Sequence, residues 1–508
     1  MLFESVLAML EKPTGCGEQT TSGGYANLIA LRFARSVGIQ DGRIEKAALD
    51  NISRAVERLK SFNKDDGGGS LYPHYEPDSA LTAYMLSFLV EAAKFVPVRE
   101  KDISLKISWL EENRDIWMPR DGKIWNKSRV TSIARALAVA KREGFDVEDD
   151  VLNDAYDYFL SDGADLRDEP YALANFILTA IDSGDERRLQ AAVAQLASLA
   201  REERGGVYWR LNDSSPFYGW GSSGNHETTG LAVSALSRWR AGHPPESLDG
   251  GGDGTFSADA LDSLIRRGTL FLMRGRDRDG YWHSTQATLQ TMRAVADASA
   301  VLGGFGNPDG RFEIRVHGKR VQTIAVDSGM RDPVVVDVSG FLAAGDNPVT
   351  VTPSKAGAFS TILFSSSHWL PWEKTQARVS PDLRLDVQFD KTELGVGEQA
   401  RCSVKVERTG SQSRGMMIAS IGLPPGAEAD RASLEALVNS GSGVDRYEVM
   451  PDRVIFYLWL WQPSGVSTFQ FRLSPRFPMK AKSEPSILYD YYNPEALSEV
   501  PPVRWIVK

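Results

Sequence analysis

Residues 80–93 read Ala-Leu-Thr-Ala-Tyr-Met-Leu-Ser-Phe-Leu-Val-Glu-Ala-Ala. Their large apolar side chains recur at the spacing of one helix face, at positions 81, 84, 85, 88, 89 and 92, and so predict an amphipathic helix. Similar rows follow at irregular intervals, as in families of paired helices. They begin after Asp121-Gly122, Pro170, Gly224 and Gly280.

A glycine followed by an aromatic residue opens several of these helical units. These turns lie at Gly69–Tyr72, Gly122–Trp125, Gly206–Trp209 and Gly280–Trp282. A hydroxyl residue then precedes each apolar row and is predicted to be its N-cap, at Thr82, Ser132, Thr228 and Thr285. Helix pairs of this kind cannot bury their apolar faces alone. An α/α toroid is therefore our first expectation for residues 1–302, and an open solenoid is the second.

The apolar period changes to two after Gly303–Gly310, which predicts strands. Alternating rows occur at 312–316, 334–338, 383–389, 402–406, 454–461, 469–473 and 487–492. Short strands separated by glycine and proline turns are typical of a β-sandwich. Residues 431–438, RASLEALV, predict one short helix within it.

Composition excludes several classes of function. The chain has 508 residues, a formal charge of −9 and a pI of about 5.4, so no nucleic-acid partner is expected. No apolar run reaches the ~18 residues that a membrane-spanning helix needs. The first residues, MLFESVLAMLEKPTG, have neither a basic start nor a small-residue cleavage site, so we do not expect a signal peptide there.

The stretch Pro13-Thr-Gly-Cys-Gly-Glu-Gln-Thr20 carries the chemistry. The thiol of Cys16 stands three residues before the carboxamide of Gln19, so sulfur and acyl carbon can close a ring if the backbone turns tightly. Gly15 and Gly17 permit that turn because each can adopt a positive φ. The product would be an internal thioester, an activated acyl group that water hydrolyses unless it is sheltered.

The alternative to this chemistry is an ordinary buried cysteine in a glycine-rich turn. Cys402 alternates with Val404 and Val406 and is predicted to be a core thiol. A disulfide between Cys16 and Cys402 is not expected, because one lies in a loop and the other in a strand. Two cysteines and six scattered histidines offer no four-ligand zinc set, and we expect neither metal nor cofactor.

The Cys16 motif closely resembles the thioester signature of alpha-macroglobulins, complement components and insect thioester proteins. Further stretches resemble segments of that family in the family's order, so the resemblance extends along almost the whole chain. They are Ala80–Tyr84 (its "LTAY" helix), Glu227–Thr229 (its "ETT" helix), Gly280–Gln286 (its "G-STQ" segment), Gly443–Tyr447 and Tyr489–Pro494.

The resemblance implies three parts, of which the first is all-α and the other two are β. An α/α toroid thioester domain would occupy 1–302, a partial CUB-like β segment 303–375, and a receptor-binding-type, immunoglobulin-like β-sandwich 380–508. The family's N-terminal macroglobulin domains and bait region have no counterpart in this sequence, so a macroglobulin half is one implied partner. An incomplete CUB-like sheet would leave strand edges open to another chain.

The resemblance also assigns roles. Cys16 would supply the thioester sulfur and Gln19 the acyl carbon, with Gly15, Gly17 and Glu18 completing the loop. In some complement-type members a histidine after the second Asp-Gly turn first takes the acyl group. The matching turn here contains no histidine, and Asn126 is its nearest polar candidate; His74 is a second candidate assistant. We therefore expect direct attack by lysine amines, as in protease-trapping macroglobulins.

Aromatic residues of the C-terminal domain cover the thioester in the family's resting state, and the resemblance points to Tyr491 or Tyr492 for that shielding. Strand alternation predicts that one tyrosine faces inward and the other outward. The implied partners are target proteases or surface amines, and the implied location is extracellular or periplasmic.

Two other functions stay open from the sequence. One is a non-covalent binding module of the same fold with an inactive thioester. The other is a toroid enzyme such as a terpene cyclase, a prenyltransferase or a glycosidase. The acidic pairs of the helical half, Asp65-Asp66 and Glu148–Asp150, are predicted to be solvated loop residues rather than a catalytic cluster.

Overall fold

The computed structural model forms two compact units. One comprises Met1–Arg210 and His226–Ser365, and the other Leu211–Asn225 and Ser366–Lys508. The second unit thus includes a short stretch from within the helical half of the sequence. The structure describes residues 10, 12–36, 41–118, 127–160, 166–185, 189–245, 257–276, 282, 284–302, 310–327, 334–354, 362, 364–367, 370–410, 415–459 and 465–508.

Helices form most of the first unit. They are α1 (Gly17–Ser36), α2 (Gly42–Leu59), α3 (Ser79–Ala92), α4 (Glu100–Glu112), α5 (Arg114–Trp117), α6 (Lys127–Arg142), α7 (Asp149–Leu160), α8 (Pro170–Ser183), α9 (Leu189–Ser198), α10 (Gly221–Gly242), α11 (Ala258–Arg274) and α12 (Thr285–Val301).

The helices pack as two concentric rows. In the inner row, α1 contacts α3, α3 contacts α6, and α6 contacts α8. Arg238 of α10 then pairs with Asp182 of α8 at 2.6 Å, and α12 returns to contact α1. Helices α2, α4, α7, α9 and α11 pack against α1, α3, α6, α8 and α12 from outside. The predicted α/α toroid is confirmed.

Burial explains which helices form the inner row. Nearly every residue of α3 is buried, because inner helices contact neighbours on all sides. The outer helix α2 buries a single face through its apolar row from Ile44 to Leu59. Helix α8 begins with Pro170, whose missing N–H has no helical partner at that position, and ends at Gly184 in the left-handed conformation.

The predicted N-caps are wrong. Helix α3 is capped by Asp78, whose side chain accepts a hydrogen bond from the Leu81 amide, and α12 is capped in the same way by Ser284. Thr82 lies inside α3, and Thr285 is the first residue of α12. Ser132 and Thr228 likewise lie inside α6 and α10. In α3 the cap is Asp78, one turn before the predicted Thr82. In α12 the cap is Ser284, the residue next to the predicted Thr285.

Helical threonines instead bind the glycine–aromatic turns to the helices that follow. The Gly69 amide donates to Oγ1 of Thr82 at 2.8 Å. The same bond recurs from the Trp209 amide to Thr229 at 3.0 Å and from the Trp282 amide to Thr288 at 3.1 Å. Each buried hydroxyl therefore satisfies a turn N–H that water cannot reach.

A small sheet follows the last helix of the first unit. It contains β3 (Gly310–Val316), β4 (Lys319–Val326) and β5 (Val349–Pro353), with β3 in the centre, while β1 (Arg201–Glu203) and β2 (Gly206–Tyr208) form a separate hairpin. The strand predicted at 334–338 is wrong, and Val335 is 87% exposed there. The free side of β3 is paired with β5 instead.

The second unit is a β-sandwich, as predicted. The strands are β6 (Leu383–Phe389), β7 (Glu393–Leu394), β8 (Ala400–Arg408), β9 (Met417–Gly422), β10 (Ala427–Ala429), β11 (Val444–Val449), β12 (Arg453–Leu458), β13 (Val466–Pro475), β14 (Met479–Lys482), β15 (Ser486–Asp490), β16 (Asn493–Val500) and β17 (Arg504–Val507), with the predicted helix α13 at Arg431–Val438. Its sheets have the strand orders β10-β13-β8-β6, β11-β12-β9-β15-β16 and β14-β17-β7.

The sandwich core lies between the two larger sheets. Phe456 of one sheet packs against Phe469 and Phe471 of the other, with ring centroids 4.8 and 5.4 Å apart. Cys402 is fully buried opposite Phe471 and is a free thiol, which confirms the prediction of a core cysteine. Burial alone raises the pKa of this thiol far above its ordinary value.

The stretch Leu211–Asn225 completes the second unit. Trp220 is only 4% exposed and belongs to the sandwich core. Tyr218 adopts a positive φ of 64° and places its ring 5.6 Å from that of Tyr492. The sequence analysis did not predict this arrangement, because it assigned the stretch to the helical domain.

Candidate functional site

The loop before α1 brings the two predicted thioester residues together. The Cys16 amide donates a hydrogen bond to Oε1 of Gln19 at 3.2 Å, so the carboxamide folds back toward Cys16. The Thr20 amide donates to the Cys16 carbonyl at 2.9 Å and starts the helical hydrogen-bond pattern. Cys16 therefore stands at the N-terminus of α1, with the acyl group of Gln19 above its own backbone.

Gly15 and Gly17 are required for different reasons. Gly15 has a φ of +81°, and a Cβ there would lie 2.1 Å from Oε1 of Gln19. Gly17 begins α1 and is not among the positive-φ residues, so the predicted reason for this glycine is wrong. Its Cβ would instead lie 2.5 Å from the Ser70 carbonyl oxygen, and its amide donates to the Leu71 carbonyl at 2.9 Å.

Arg58 of α2 fixes the loop from its outer side. Its Nη2 donates to the Gly15 carbonyl at 2.6 Å, and its Nε donates to Oγ1 of Thr20 at 3.1 Å. Arg58 was not predicted as a site residue, because an arginine in an amphipathic helix has the pattern of a solvent-facing residue. Two hydrogen bonds from one rigid guanidinium hold both ends of the Cys16 turn.

Glu18 is anchored by the last helix of the ring. Its Oε1 accepts hydrogen bonds from Oγ of Ser22 at 2.8 Å, Nε2 of Gln286 at 2.8 Å and Oγ1 of Thr285 at 3.1 Å. The family resemblance included Thr285 and Gln286 in a motif but gave them no role. The contact explains why that motif and the thioester motif belong to one site.

The Cys16 thiol is sheltered, with 8% of the residue exposed. Burial, followed by the charge of Glu18, raises the pKa of Cys16 from 9.0 to about 11, although neighbouring backbone amides act in the opposite direction. The free thiol is therefore protonated at neutral pH. A sulfur with this property is a poor leaving group, which favours a long-lived thioester.

A second loop, Phe62–Leu71, supports the thioester loop and is itself held by Lys106. The Nζ of Lys106 donates to Oδ1 of Asn63 at 2.8 Å and to the Gly67 carbonyl at 3.1 Å. Burial lowers the pKa of this lysine from 10.5 to about 7. A buried lysine was not predicted here, because the sequence around position 106 of α4 does not indicate that this side chain is buried.

The predicted assistants are not brought to Cys16 by any described contact. His74 is exposed and forms a cluster of three rings with two tyrosines: its centroid lies 6.2 Å from that of Tyr72, in a stacked arrangement, and 4.8 Å from that of Tyr75, edge to face. These three rings follow directly after Leu71, whose carbonyl binds Gly17. Asn126 lies outside the described residues.

The predicted shielding tyrosines lie in a turn rather than in a strand. Strand β15 ends at Asp490, whose carboxylate accepts hydrogen bonds from the amides of Tyr492 and Asn493. This Asx-type turn interrupts the alternation from which one inward tyrosine was predicted. Tyr491 is 36% exposed, and Tyr492 is half-buried against Tyr218.

Two family models match separate parts of the chain. The model of the A-macroglobulin TED domain matches residues 2–235, and that of the A-macroglobulin receptor binding domain matches residues 412–500. Together they cover more than half of the 508 residues. This chain belongs to the alpha-macroglobulin and complement family of thioester-domain proteins.

Relatives of this alpha-macroglobulin-family chain include complement and bacterial proteins. Complement C3 of Eptatretus burgeri is 21% identical over 521 residues, covering 96% of this chain and 30% of that protein's length. Native alpha-2-macroglobulin from Escherichia coli, spanning domain MG7 to the C-terminus, has a TM-score of 0.60 at 16% identity over 100% of this chain and 75% of that one.

A second solved structure, Salmonella alpha-2-macroglobulin reacted with methylamine, has a TM-score of 0.59 at 16% identity, covering 100% of this chain and 31% of that chain. Identities this low show a shared fold alone. This chain matches 30% of the length of the complement relative, so it spans less than a third of that protein.

The helical ring of this alpha-macroglobulin-family chain holds charged side chains in its interior. Their pairing shows whether they resemble the active site of a toroid enzyme. They come from the inner helices and are Glu91, Arg135, Asp182, Arg238, Arg293 and Asp297. Burial alone would raise the pKa of Glu91, but Arg293 and Arg32 outweigh it and lower that pKa. Asp182 is bound by Arg238 and Arg142. These described carboxylates neutralise arginines and so form a structural network.

The acidic residues that the sequence singles out also give no sign of a catalytic cluster. Asp65, Asp66 and Glu148–Asp150 are exposed, as predicted, but Asp149 and Asp150 begin α7 instead of lying in a loop. Within the described ranges, no group of three histidine, cysteine or acidic side chains is placed to hold a metal ion. None of the described helices is both long enough and apolar enough to cross a membrane.

Proposed function

We propose that Cys16 and Gln19 form an internal thioester and that this chain captures target proteins covalently through it. The observation that carries the proposal is the hydrogen bond from the Cys16 amide to Oε1 of Gln19, because it keeps the acyl group over the cysteine. Ring closure joins Sγ of Cys16 to Cδ of Gln19 and releases the carboxamide nitrogen as ammonia.

Capture follows from the same geometry. A primary amine of the target adds to Cδ of Gln19, and negative charge develops on Oε1, where the Cys16 amide is placed to stabilise it. The bond from carbon to sulfur then breaks, Cys16 leaves as a thiolate, and the proton lost by the amine passes to solvent. The target remains attached to Gln19 through an amide.

Shelter of the bond supports the same function. Cys16 and Gly17 are buried, and the loop Phe62–Leu71 packs directly on the start of α1. Exclusion of water slows hydrolysis until a target arrives. Shielding by Tyr491 or Tyr492 stays a prediction, as does assistance by Asn126.

The targets that we propose are proteases, trapped through their lysine amines, which makes the protein an endopeptidase inhibitor rather than an enzyme. We further propose that it acts outside the cytoplasm and together with macroglobulin domains. We also propose the domain bounds 1–302, 303–375 and 380–508. The chain spans 30% of the length of its complement relative.

Intact mass on freshly purified protein, with and without methylamine, tests the thioester. We expect a chain lighter than its sequence by one ammonia, which gains one methylamine and exposes one new thiol. Cys16→Ala should show neither change, and Cys402→Ala should show both. An unmodified mass with Cys16 free at the outset would contradict the proposal and leave the non-covalent binding module as the better description.

A further inference from the structure

The position of Cys16 creates an electrostatic problem. It immediately precedes α1, a helix of 20 residues, and its carbonyl accepts the first helical hydrogen bond from Thr20. Cysteines at helix N-termini usually form thiolates easily, because the helix dipole stabilises negative charge there. Taken by itself, the helix dipole would make the Cys16 sulfur a good leaving group, and a thioester there would open too readily.

Glu18 places a fixed negative charge at the same helix end. Ser22, Thr285 and Gln286 all donate to Oε1 of its half-buried side chain. Gln286 is itself buried, and its Nε2 also lies 3.2 Å from Oγ of Ser22. The carboxylate cannot leave this position without breaking three hydrogen bonds, two of them to helix α12.

One of these donors, Ser22, is itself held by Tyr84 inside the helical ring. Oγ of Ser22 lies 3.0 Å from the Tyr84 hydroxyl, and the Tyr84 ring stacks on Tyr25 at 5.3 Å. The guanidinium of Arg293, on α12, lies 4.1 Å from the centre of the Tyr25 ring. Glu18 is therefore connected through Ser22 and Tyr84 to buried residues inside the helical unit.

We propose that Glu18, held in place by Thr285 and Gln286, sets the reactivity of the thioester by opposing the negative charge that develops on the departing Cys16 sulfur. This inference rests on the proposed thioester. Arg58, on α2, is the described cation bound to the same loop, but it contacts Gly15 and Thr20 rather than the sulfur. Glu18 thus offsets the helix dipole and keeps the resting bond slow.

The step that Glu18 controls is the cleavage of the bond between Gln19 Cδ and Cys16 Sγ. The amine nitrogen forms its bond to Cδ, and the electron pair of the broken bond moves to Sγ. Glu18 takes no part in the proton transfer of this step. Its effect is purely electrostatic, and after burial the charge of Glu18 is the next cause that raises the pKa of Cys16.

The first experiment measures the rate of thiol release by methylamine in the full chain. Glu18→Gln keeps the shape and the hydrogen-bond acceptor but removes the charge, so we expect release to be about three- to tenfold faster. Glu18→Asp keeps the charge and should stay closer to the original protein. Glu76→Gln, an exposed carboxylate of the loop after Leu71, is the matched control and should change nothing. Equal rates for Glu18→Gln and the unchanged protein would overturn the inference.

A second experiment separates this inference from the thioester itself. Alkylation of Cys16 is followed against pH by peptide mass, using protein whose thioester has been opened or has not formed. We expect the midpoint for Glu18→Gln to lie at lower pH than for the original protein or Glu18→Asp. An unshifted midpoint would exclude control by charge even if the thioester is present. A shifted midpoint without any thioester would support the electrostatics and reject the proposed capture.

Discussion

The backbone amide of Cys16 and the side-chain oxygen of Gln19 lie 3.2 Å apart, across a turn that only glycine at position 15 permits. The turn places the acyl carbon of Gln19 above the residue whose sulfur would attack it. Arg58 binds the Gly15 carbonyl from outside, so the turn is held before any bond forms. Pre-organisation of this kind lowers the entropic cost of ring closure.

Replacing Gly15 tests the turn. Gly15→Ala puts a methyl group 2.1 Å from Oε1 of Gln19 at a φ of +81°, a conformation that costs an alanine about 1 kcal/mol or more. We expect at least a tenfold lower fraction of thioester by intact mass, with the helical content retained. Gly42→Ala is the control, because no atom lies within 4 Å of a Cβ there. Equal thioester fractions in both variants would show that the turn tolerates a side chain.

The sequence predicted the ring because its apolar periodicity is local information. The row in residues 80–93 became α3, and the alternation around Cys402 became β8. Contacts between distant positions carried no such signal. Glu18 and Gln286 are 268 positions apart, and neither residue type indicates the other.

The errors arose where tertiary contacts replaced local preferences. The alternating valines at 334–338 have the strand period, but β5 already occupies the edge of β3. Trp220 lies next to a helix in sequence, yet its indole packs in the sandwich core. A buried tryptophan looks the same in a sequence whichever core receives it.

The hydroxyl of Thr82 should stabilise the loop beside the Cys16 turn. Thr82→Val removes the acceptor of the buried Gly69 amide, so we expect a loss of about 1 to 3 kcal/mol in the free energy of unfolding. Thr131→Val is the control, because its hydroxyl donates only to carbonyls of its own helix. Urea unfolding measures both. A loss in Thr131→Val as large as that in Thr82→Val would contradict the role of the turn bond.

Lys106 should make the stability depend on pH. Its folded-state pKa of about 7 lies below the ordinary value of 10.5, so above pH 7 the unfolded chain binds the extra proton. Stability from this group therefore rises with pH, by roughly 2 kcal/mol between about pH 7 and 9. Lys106→Met should remove that rise, whereas Lys101→Met, at an exposed position of the same helix, should keep it. Denaturant unfolding at several pH values decides, and parallel curves for Lys106→Met and the original chain would refute the assignment.

Trp220 should stabilise the sandwich although it precedes the rest of that unit, Ser366–Lys508, by more than a hundred residues in the sequence. Trp220→Ala removes a buried side chain from the core, at a cost of about 3 to 5 kcal/mol. Trp220→Phe should cost clearly less, because the indole N–H has no hydrogen-bond partner among the described atoms. Limited proteolysis within 366–508 reports the loss locally. Unchanged protection in Trp220→Ala would mean that this stretch does not support the sandwich.

The acceptor preference depends on whether a histidine reaches the acyl group. His74 packs against Tyr72 and Tyr75, and no described contact joins it to Gln19. Without a histidine that takes the acyl group, hydroxyls are weak nucleophiles and amines react directly. With glycerol and methylamine in competition, we therefore expect amide to dominate in the mass spectrum, and His74→Ala to leave the ratio unchanged. Tyr75→Phe, which keeps the ring cluster, is the matched control. Preferential ester formation that His74→Ala abolishes would make His74 the acyl acceptor and would move this chain from direct aminolysis to the complement-type reaction.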